Sequence, residues 1–295
     1  MKKIRMNRVL SIVFLVFTFI VLIFYAVSLL YPLFWTFYSS FKDVVEYTLH
    51  PFDITKSWHF ENYIEIFSVL SVPVVDGDST RNVYILEMLL NSLIYTCGVA
   101  LLNVFVPSLT AYVVSKYRFR GRSIIYAIAI VTMILPIVGA LPSSLRIMEG
   151  LNLRNNFLGV WLMLASGFGF NFLIIYSTFN SLSWSYGEAA LIDGASDFKV
   201  YWKIMMPLIY PTLSGLFVLA FVSNWNDYMT PLVYLAQKPT MAYGVFQFQF
   251  LASSLGYTTP HVLAGFIISM IPILILFFIF QDKIMNNVTA GGLKG

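Results

Sequence analysis

The chain has few of the residues that catalysis, metal binding and disulfide formation require. Its single cysteine, Cys97, lies inside an apolar stretch, so neither a disulfide nor a thiolate metal site can form within the chain. The three histidines, His50, His59 and His261, do not have the spacing of a metal-binding pair on one helix. No serine or cysteine is placed with a histidine in an arrangement that would indicate hydrolysis within the membrane. We therefore expect neither an enzyme nor a metal site.

Charged residues are also scarce, and the chain has no nucleotide-binding loop. Charged residues form 11% of the 295 residues, whereas hydrophobic residues form 59%. A soluble domain has about a quarter of its residues charged. This composition predicts a protein that crosses a membrane several times. Because no glycine-rich loop ends in Gly-Lys-Ser or Gly-Lys-Thr, the chain cannot be an ATPase by itself, and we expect no cofactor in it.

Six apolar stretches are present, each long enough or nearly long enough to cross the hydrocarbon core as a helix. The first is too long for the core of a signal peptide, so it predicts an uncleaved membrane helix. Pro136, with Pro142 just beyond, predicts a kink or break at the outer end of the third. The predicted spans are residues 9–35, 86–114, 123–141, 157–182, 208–235 and 261–280.

The connections between the spans differ in charge. Most of the 18 lysine and arginine residues lie before the first span, after the second, between the fourth and fifth, and in the tail at 281–295. Positive residues accumulate on the cytoplasmic side, so both termini and the connection between spans four and five are predicted to be cytoplasmic. The loop at 36–85 is then external. Its acidic and aromatic residues suit contact with an extracytoplasmic protein or a solvated cap over the membrane domain.

The connection at residues 185–207 is polar and rich in small residues. Its charged side chains place it outside the bilayer. A first short helix is predicted from Ser185, with Glu188 in its first turn, and a second from about Asp197, which is a candidate N-cap. Gly194 permits a sharp turn between them. Pro207 and Pro211 are expected to interrupt the second helix as the chain re-enters the membrane.

This segment resembles the cytoplasmic coupling loop of permease subunits of binding-protein-dependent ABC importers. Glu-Ala-Ala, three residues, Gly, nine residues, Ile, one residue, a hydrophobe and Pro follow the family pattern, although Met206 stands where Leu is usual. The Asp-Gly-Ala form is that of the carbohydrate branch, as is the tail at 290–295. The matching residues are Glu188, Ala189, Ala190, Asp193, Gly194, Ala195, Ile204 and Pro207. Without the resemblance, the segment reads as an interfacial amphipathic helix joining two spans.

The resemblance implies an all-α integral membrane fold of the type I importer class, with six transmembrane helices and a coupling helix between helices four and five. It implies a bacterial cell-membrane permease that pairs with a second permease chain, contacts two ATPase domains through residues 188–207 and receives a sugar from an extracytoplasmic binding protein. ATP and Mg²⁺ would then bind to the ATPase. The alternatives are a permease for a peptide, amino acid or polyol phosphate, an ion-coupled secondary carrier, and a receptor or assembly factor.

Polar residues inside the spans are candidates for a solute pathway, because polar groups are costly in a bilayer. The densest group is residues 223–228, where an aromatic plate beside amide and carboxylate groups suits a sugar, and which looks like the fifth-span signature of carbohydrate permeases. An interfacial aromatic anchor with a capping or interhelical aspartate fits equally well, and asparagines also hold helices together. The pathway candidates are Asn91, Asn171, Asn224, Trp225 and Asp227.

Overall fold

The structure, a computed structural model, describes residues 2–77, 79–135, 139–252, 254 and 256–292, and of residues 2–9, 76 and 282–292 only the backbone. The chain is mostly helical. Its helices are α1 (Lys2–Ser39), α2 (Val44–Leu49), α3 (Glu61–Val69), α4 (Ile85–Lys116), α5 (Arg122–Ile134), α6 (Ala140–Gly150), α7 (Phe157–Leu164), α8 (Phe170–Ser181), α9 (Ser185–Ile192), α10 (Asp197–Val200), a π-helix (Tyr201–Met205), α11 (Met206–Leu208), α12 (Tyr210–Trp225), α13 (Met229–Tyr234), α14 (Met241–Leu251) and α15 (Thr259–Gly292).

Three helices in the described part of the chain are long and apolar enough to cross a membrane unaided. They are Leu10–Ser39 of α1, Ile85–Lys116 of α4 and Thr259–Gln281 of α15. A fourth candidate is the pair Asp197–Leu208 and Tyr210–Trp225, which is bent by 77°. The remaining predicted spans contain shorter helices, because the chain breaks within them.

The chain divides into two compact units, one of Met1–Val69 with Phe248–Ile268 and the other of Leu70–Gln247 with Ser269–Gly295. In the first unit, the part of the external loop that follows α1 is folded. The ammonium of Lys42, which is fully buried, donates hydrogen bonds to the carbonyls of His50 (2.7 Å) and Pro51 (3.2 Å). Asn62 donates to the carbonyls of Ser40 and Lys42. These bonds join α3 and the turn after α2 to the end of α1.

The second unit also contains a two-stranded hairpin, which the predicted all-α fold did not include. β1 (Ser71–Asp76) pairs antiparallel with β2 (Ser79–Tyr84), so that Val72 faces Val83. Val72, Val74 and Val83 are buried, and this alternation is typical of a half-buried strand. Gly77 has φ +60° at the turn. The mostly helical fold agrees with the prediction, and this one short hairpin is an addition that the helical composition of the chain did not reveal.

In the second unit, α4 lies at the centre and is contacted by α7, α8 and α12. Small residues permit these approaches. A Cβ atom added at Gly98 of α4 would collide with the indole of Trp161 on α7. Glycine is therefore needed where these two helices meet.

The predicted third and fourth spans are not continuous helices. α5 ends at Ile134, because the residue before a proline is disfavoured in helical conformation and Pro136 follows closely. Pro136 itself lies outside the described residues. The fourth predicted span is two helices, α7 and α8, separated by residues 165–169. The predicted outer connection at 146–156 is partly helical, since α6 extends to Gly150.

Candidate functional site

Residues 185–207, called the coupling loop below, begin as two short helices joined by a tight turn. α9 starts at Ser185 and carries Glu188 in its first turn, as predicted. Gly194 then has φ +82°, a conformation that L side chains rarely adopt. The amide of Ala195 donates to the carbonyl of Ala190 at 2.9 Å, which closes the turn.

The second short helix has a different N-cap from the predicted one. α10 begins at Asp197, but the capping side chain is that of Ser196, whose Oγ accepts from the amide of Lys199 at 3.4 Å. The Asp197 carboxylate instead accepts a hydrogen bond from the hydroxyl of Tyr117 at 2.6 Å. Serine and aspartate are both good N-caps. Because the Asp197 carboxylate bonds Tyr117, the cap is left to Ser196. Tyr117 is 80 residues away in the sequence, so the local sequence could not predict this contact.

One face of the coupling loop is exposed and apolar. Ile192 is 86% exposed and Phe198 is 68% exposed, and Leu191 and Tyr186 are exposed as well. Glu188, Ala189, Asp193, Gly194 and Pro207 are exposed, whereas Ala190, Ala195 and Ile204 are half-buried. A surface of this kind, with small residues between large apolar ones, is typical of a protein interaction site.

The opposite face of the coupling loop is anchored to the end of α4. Val200, Tyr201 and Met205 are buried in one apolar cluster with Tyr112 and Phe179. The hydroxyl of Tyr201 shares a 2.7 Å hydrogen bond with Ser108 of α4, and the ring of Tyr201 lies 5.0 Å from that of Tyr112.

Two polar contacts strengthen this attachment at the end of α4. The ammonium of Lys116 donates to the carbonyl of Leu182 at 2.7 Å, next to α9. Burial and the neighbouring Asp197 raise the pKa of the Tyr117 phenol above its ordinary value of 10.0. Tyr117 is therefore a neutral donor to Asp197 at physiological pH. These contacts join the coupling loop and Leu182 to the end of α4.

A π-helix and a sharp bend follow the coupling helices. The π-helix spans Tyr201–Met205, and the chain bends by 77° between Leu208 and Tyr210. Pro207 and Pro211 flank the bend, in agreement with the predicted interruption. Single turns of π-helix in proteins are frequent at functional sites.

A polar groove lies between α4, α12 and the break that separates α7 from α8. Its volume is about 370 Å³. None of its lining residues is charged, and we call it the amide groove because three of them are asparagines. The lining residues are Asn103, Pro107, Ser166, Phe168, Phe170, Asn171, Leu219, Ala220, Ser223 and Asn224.

The three asparagines lie at similar distances from the helix ends beside the coupling loop. At 1.5 Å per residue, Asn103 is about 20 Å from Lys116, Asn171 about 15 Å from Ser181 and Asn224 about 21 Å from Tyr210. The hydrocarbon core of a bilayer is about 30 Å thick. The amide groove is therefore at the depth of the bilayer centre if these helices cross a membrane.

The helix break at residues 165–169 forms one wall of the amide groove. Gly169 has φ +105° and ψ −159°, a region that essentially only glycine occupies. The hydroxyl of Thr110 on α4 donates to the carbonyl of Gly167 at 2.6 Å, so the interrupted backbone is hydrogen-bonded to a neighbouring helix. Non-helical backbone at membrane depth is tolerated where it is buried or lines a cavity. The glycines at 167 and 169 were a sequence signal for this break.

The structure brings together only two of the predicted pathway residues, Asn171 and Asn224. The amide of Asn171 donates to the carbonyl of Asn103 at 2.7 Å, and that of Asn224 donates to Ala220 of its own helix at 2.7 Å. Asn91 is buried elsewhere and donates to Pro239 at 3.1 Å. Asn91 therefore joins α4 to the segment that contains Pro239, between α13 and α14.

Trp225 and Asp227 also lie outside the amide groove. Trp225 is 2% exposed, its ring stacks on Phe221 and its indole N–H donates to Ser269 at 3.0 Å. This ring is not open to a sugar in this conformation. Asp227 accepts from the hydroxyl of Tyr95 and from the amide of Thr230, both at 3.0 Å. Asp227 is thus an interhelical and capping residue.

Residues 103–289 match the family described as the inner membrane component of binding-protein-dependent transport systems. This match contains the coupling loop and the amide groove. It covers more than half of the chain.

Individual relatives agree with this match. The trehalose/maltose transport system permease protein MalG of Thermococcus litoralis is 30% identical over 273 residues, which are 92% of this chain and 93% of the relative. The diacetylchitobiose uptake system permease protein NgcG of Streptomyces coelicolor is 26% identical over 278 residues, 92% of this chain and 87% of the relative. A bacterial ABC transporter involved in the import of the acidic polysaccharide alginate has a chain that superposes with a TM-score of 0.73 at 26% identity, covering 92% of this chain and 96% of that one. The chain therefore belongs to the family of inner membrane components of binding-protein-dependent transport systems.

Proposed function

We propose that this chain is the membrane-spanning permease subunit of an ATP-driven importer for a sugar or oligosaccharide. The solutes in the names of the three relatives described above are diacetylchitobiose, trehalose or maltose, and alginate, which are carbohydrates. A permease for a non-sugar solute is the alternative within the family. An ion-coupled carrier is disfavoured because family members work in binding-protein-dependent systems.

The chain crosses the membrane six times in this proposal. The crossings are α1, α4, α5, the broken pair α7 and α8, α12 and α15. Both termini and the coupling loop are cytoplasmic, and residues 36–85 are external. Short helices at α7 and α8 are compatible with one crossing because their break is hydrogen-bonded to α4.

The observation that carries the proposal is the exposed apolar face of the coupling loop. Ala189 and Gly194 leave little side chain between this backbone and a partner, and Ile192 and Phe198 supply apolar surface. An ATPase cleft that seats this face would bury all four, and the Glu188 carboxylate would make a charge-assisted contact with it. ATP and Mg²⁺ bind to that ATPase, and this chain does no chemistry.

The mechanism is mechanical. When ATP closes two ATPase domains, the coupling loop moves with them as a rigid body. Its attachment through Tyr117 and Tyr201 carries the motion into α4, while the chain connections carry it into α8 and α12. These three helices line the amide groove. Motion at the cytoplasmic face therefore changes the access of the groove to the two sides of the membrane.

Two further partners complete the importer. Ser166, Phe170, Leu219 and Ser223 at the rim of the amide groove are exposed, so the groove is open at the surface of the chain. A second permease chain closes it to form the solute cavity. An extracytoplasmic binding protein delivers the solute to the external face.

Replacing Ala189 with Trp tests the coupling role. The indole would occupy the space that the ATPase needs, so uptake is expected to fall by at least about tenfold, because a misfitted interface readily loses more than 1.4 kcal/mol. Gly194 is a poorer target, since any side chain there strains its positive φ. Uptake by whole cells and copurification of the ATPase with this chain are measured.

The matched control is Ala140→Trp, the same change at an exposed alanine at the start of α6. Ala140→Trp should leave uptake and ATPase copurification unchanged. Normal uptake and normal ATPase binding by the Ala189→Trp protein, present in the membrane at wild-type amount, would contradict the proposed function.

A further inference from the structure

The amide groove and the helices around it contain no acidic, basic or histidine side chain at the depth of the groove. α7, α8 and α12 have no Asp, Glu, Lys, Arg or His at all, and on α4 none lies between Glu87 and Lys116. A solute in the groove therefore meets no fixed charge from this chain. The relatives named above import both neutral and acidic carbohydrates, so family membership leaves the charge of the solute open.

The groove does offer hydrogen-bonding groups of both kinds. The Asn103 side-chain amide and the Ser223 hydroxyl make no hydrogen bond within the described part of the chain. Asn171 and Asn224 each use one amide N–H, to Asn103 and Ala220, which leaves both side-chain carbonyl oxygens available. Amides and hydroxyls both donate and accept, as sugar hydroxyls do.

Apolar surface lies beside these polar groups. Phe168, Phe170 and Leu219 line the same groove, and the last two are exposed. The C–H faces of a sugar ring can pack on such surfaces while its hydroxyls exchange hydrogen bonds with the amides.

This chain offers a charged solute no counter-charge in the groove. Removing an unpaired carboxylate or ammonium from water is strongly unfavourable unless the group meets a counter-charge. A neutral polyhydroxylated solute replaces its water bonds with amide bonds and avoids this cost. On the basis of the function proposed above, we infer that the amide groove forms part of the solute pathway and passes uncharged oligosaccharides while discriminating against acidic ones.

The competing explanation is that the asparagines only hold helices together. The bond from Asn171 to the Asn103 carbonyl fits that explanation. The Asn103 side chain does not, because no bond within the described residues uses it. Replacing the Asn103 side chain therefore tests for a contact with the solute without removing a hydrogen bond between helices.

The first experiment identifies the charge of the solute. Cells with the complete importer, and matched cells that lack this chain, are given a mixture of neutral and uronic-acid oligosaccharides from partially hydrolysed polysaccharides. The oligosaccharides that accumulate inside are identified by mass spectrometry. Only uncharged ones are expected to depend on this chain. Accumulation of uronic-acid oligosaccharides would overturn the inference and leave the proposed importer function intact, whereas no chain-dependent accumulation of either class would overturn both.

The second experiment places the solute in the groove. Asn103→Asp replaces the amide N–H donors with a negative charge, so uptake of the accumulated oligosaccharide should fall about tenfold, while Asn103→Ser should retain most of it. Asn180→Asp is the matched control, at an exposed position of α8 outside the groove. Amounts of assembled importer are measured for each variant. Equal uptake by Asn103→Asp and the wild type, or equal losses in Asn103→Asp and Asn180→Asp, would overturn the inference.

Discussion

At the scale of single residues, the hydrogen bond between Tyr117 and Asp197 is one of those that join the coupling loop to the end of α4, another being that of Tyr201. Tyr117 is the C-cap residue that follows α4, and its hydroxyl donates to Asp197 at the start of α10. The ring of Tyr117 also contacts Tyr112 and Trp184 edge-on, at 5.6 and 5.8 Å. The contacts with these two rings position Tyr117, and its hydroxyl forms a hydrogen bond to the coupling loop.

Tyr117→Phe should keep the ring contacts and remove the hydrogen bond to Asp197. A hydrogen bond to a carboxylate at a partly exposed site contributes about 1 kcal/mol. Uptake is expected to fall severalfold while ATP hydrolysis by the assembled importer continues, so that more ATP is used for each solute molecule. Tyr112→Phe, which removes only a 3.3 Å contact between hydroxyls, is the control. An unchanged ratio of ATP hydrolysed to solute imported in Tyr117→Phe would show that this bond transmits nothing.

The same bond predicts how coupling depends on pH. Burial first, and then Asp197, raise the pKa of the Tyr117 phenol. The bond is fully present below the unfolded value of 10.0 and is lost only as pH rises through the higher folded value. The ratio of uptake by the wild type to uptake by the Tyr117→Phe variant should therefore stay constant between about pH 6 and 9.

At the scale of elements, the break between α7 and α8 decides where the groove forms. Ser166, Phe168 and Phe170, in and beside this break, line the amide groove. Gly169 permits the break, because its φ and ψ are closed to residues that have a Cβ.

Gly169→Ala should destabilise the protein by about 1–3 kcal/mol through backbone strain alone, since nothing lies within 4 Å of the added Cβ. Gly150→Ala is the control, because it has equal space and no positive φ. Thermal unfolding of the purified importer in detergent measures both. Equal unfolding temperatures for the two variants would mean that the Gly169 conformation is not required by the native fold.

At the scale of the whole molecule, the proposed crossings fix which segments face each side. Ser183, just before α9, and Ser68, at the end of α3, are both exposed. In a Cys97→Ser background, a membrane-impermeant maleimide added to intact cells should label Ser68→Cys and not Ser183→Cys. Added to inverted vesicles, it should label Ser183→Cys. Labelling of Ser183→Cys from outside would reverse the orientation and remove the coupling loop from any cytoplasmic ATPase.

The sequence alone determined the features that depend on neighbouring residues. Apolar runs of 20 or so residues predicted the long helices α1, α4 and α15. The spacing from Glu188 to Pro207 predicted the two short helices, the turn at Gly194 and the interruption at the prolines, and the family match supports the resemblance drawn from it. These properties are local, because a helix, a cap and a turn are set by residues within a few positions of one another.

Only the tertiary structure decided which polar residues share a site. Asn103, Asn171 and Asn224 are far apart in the sequence and meet because α4, α8 and α12 pack together. From the sequence, Trp225 and Asp227 look as suitable for binding a sugar as the asparagines do. In the structure, Trp225 packs on Phe221 and bonds Ser269, and Asp227 bonds Tyr95. The choice of Ser196 over Asp197 as N-cap also follows a contact with a residue distant in the sequence, since Tyr117 bonds the Asp197 carboxylate. The sequence specifies what each side chain can do, and long-range packing determines which of those interactions is used.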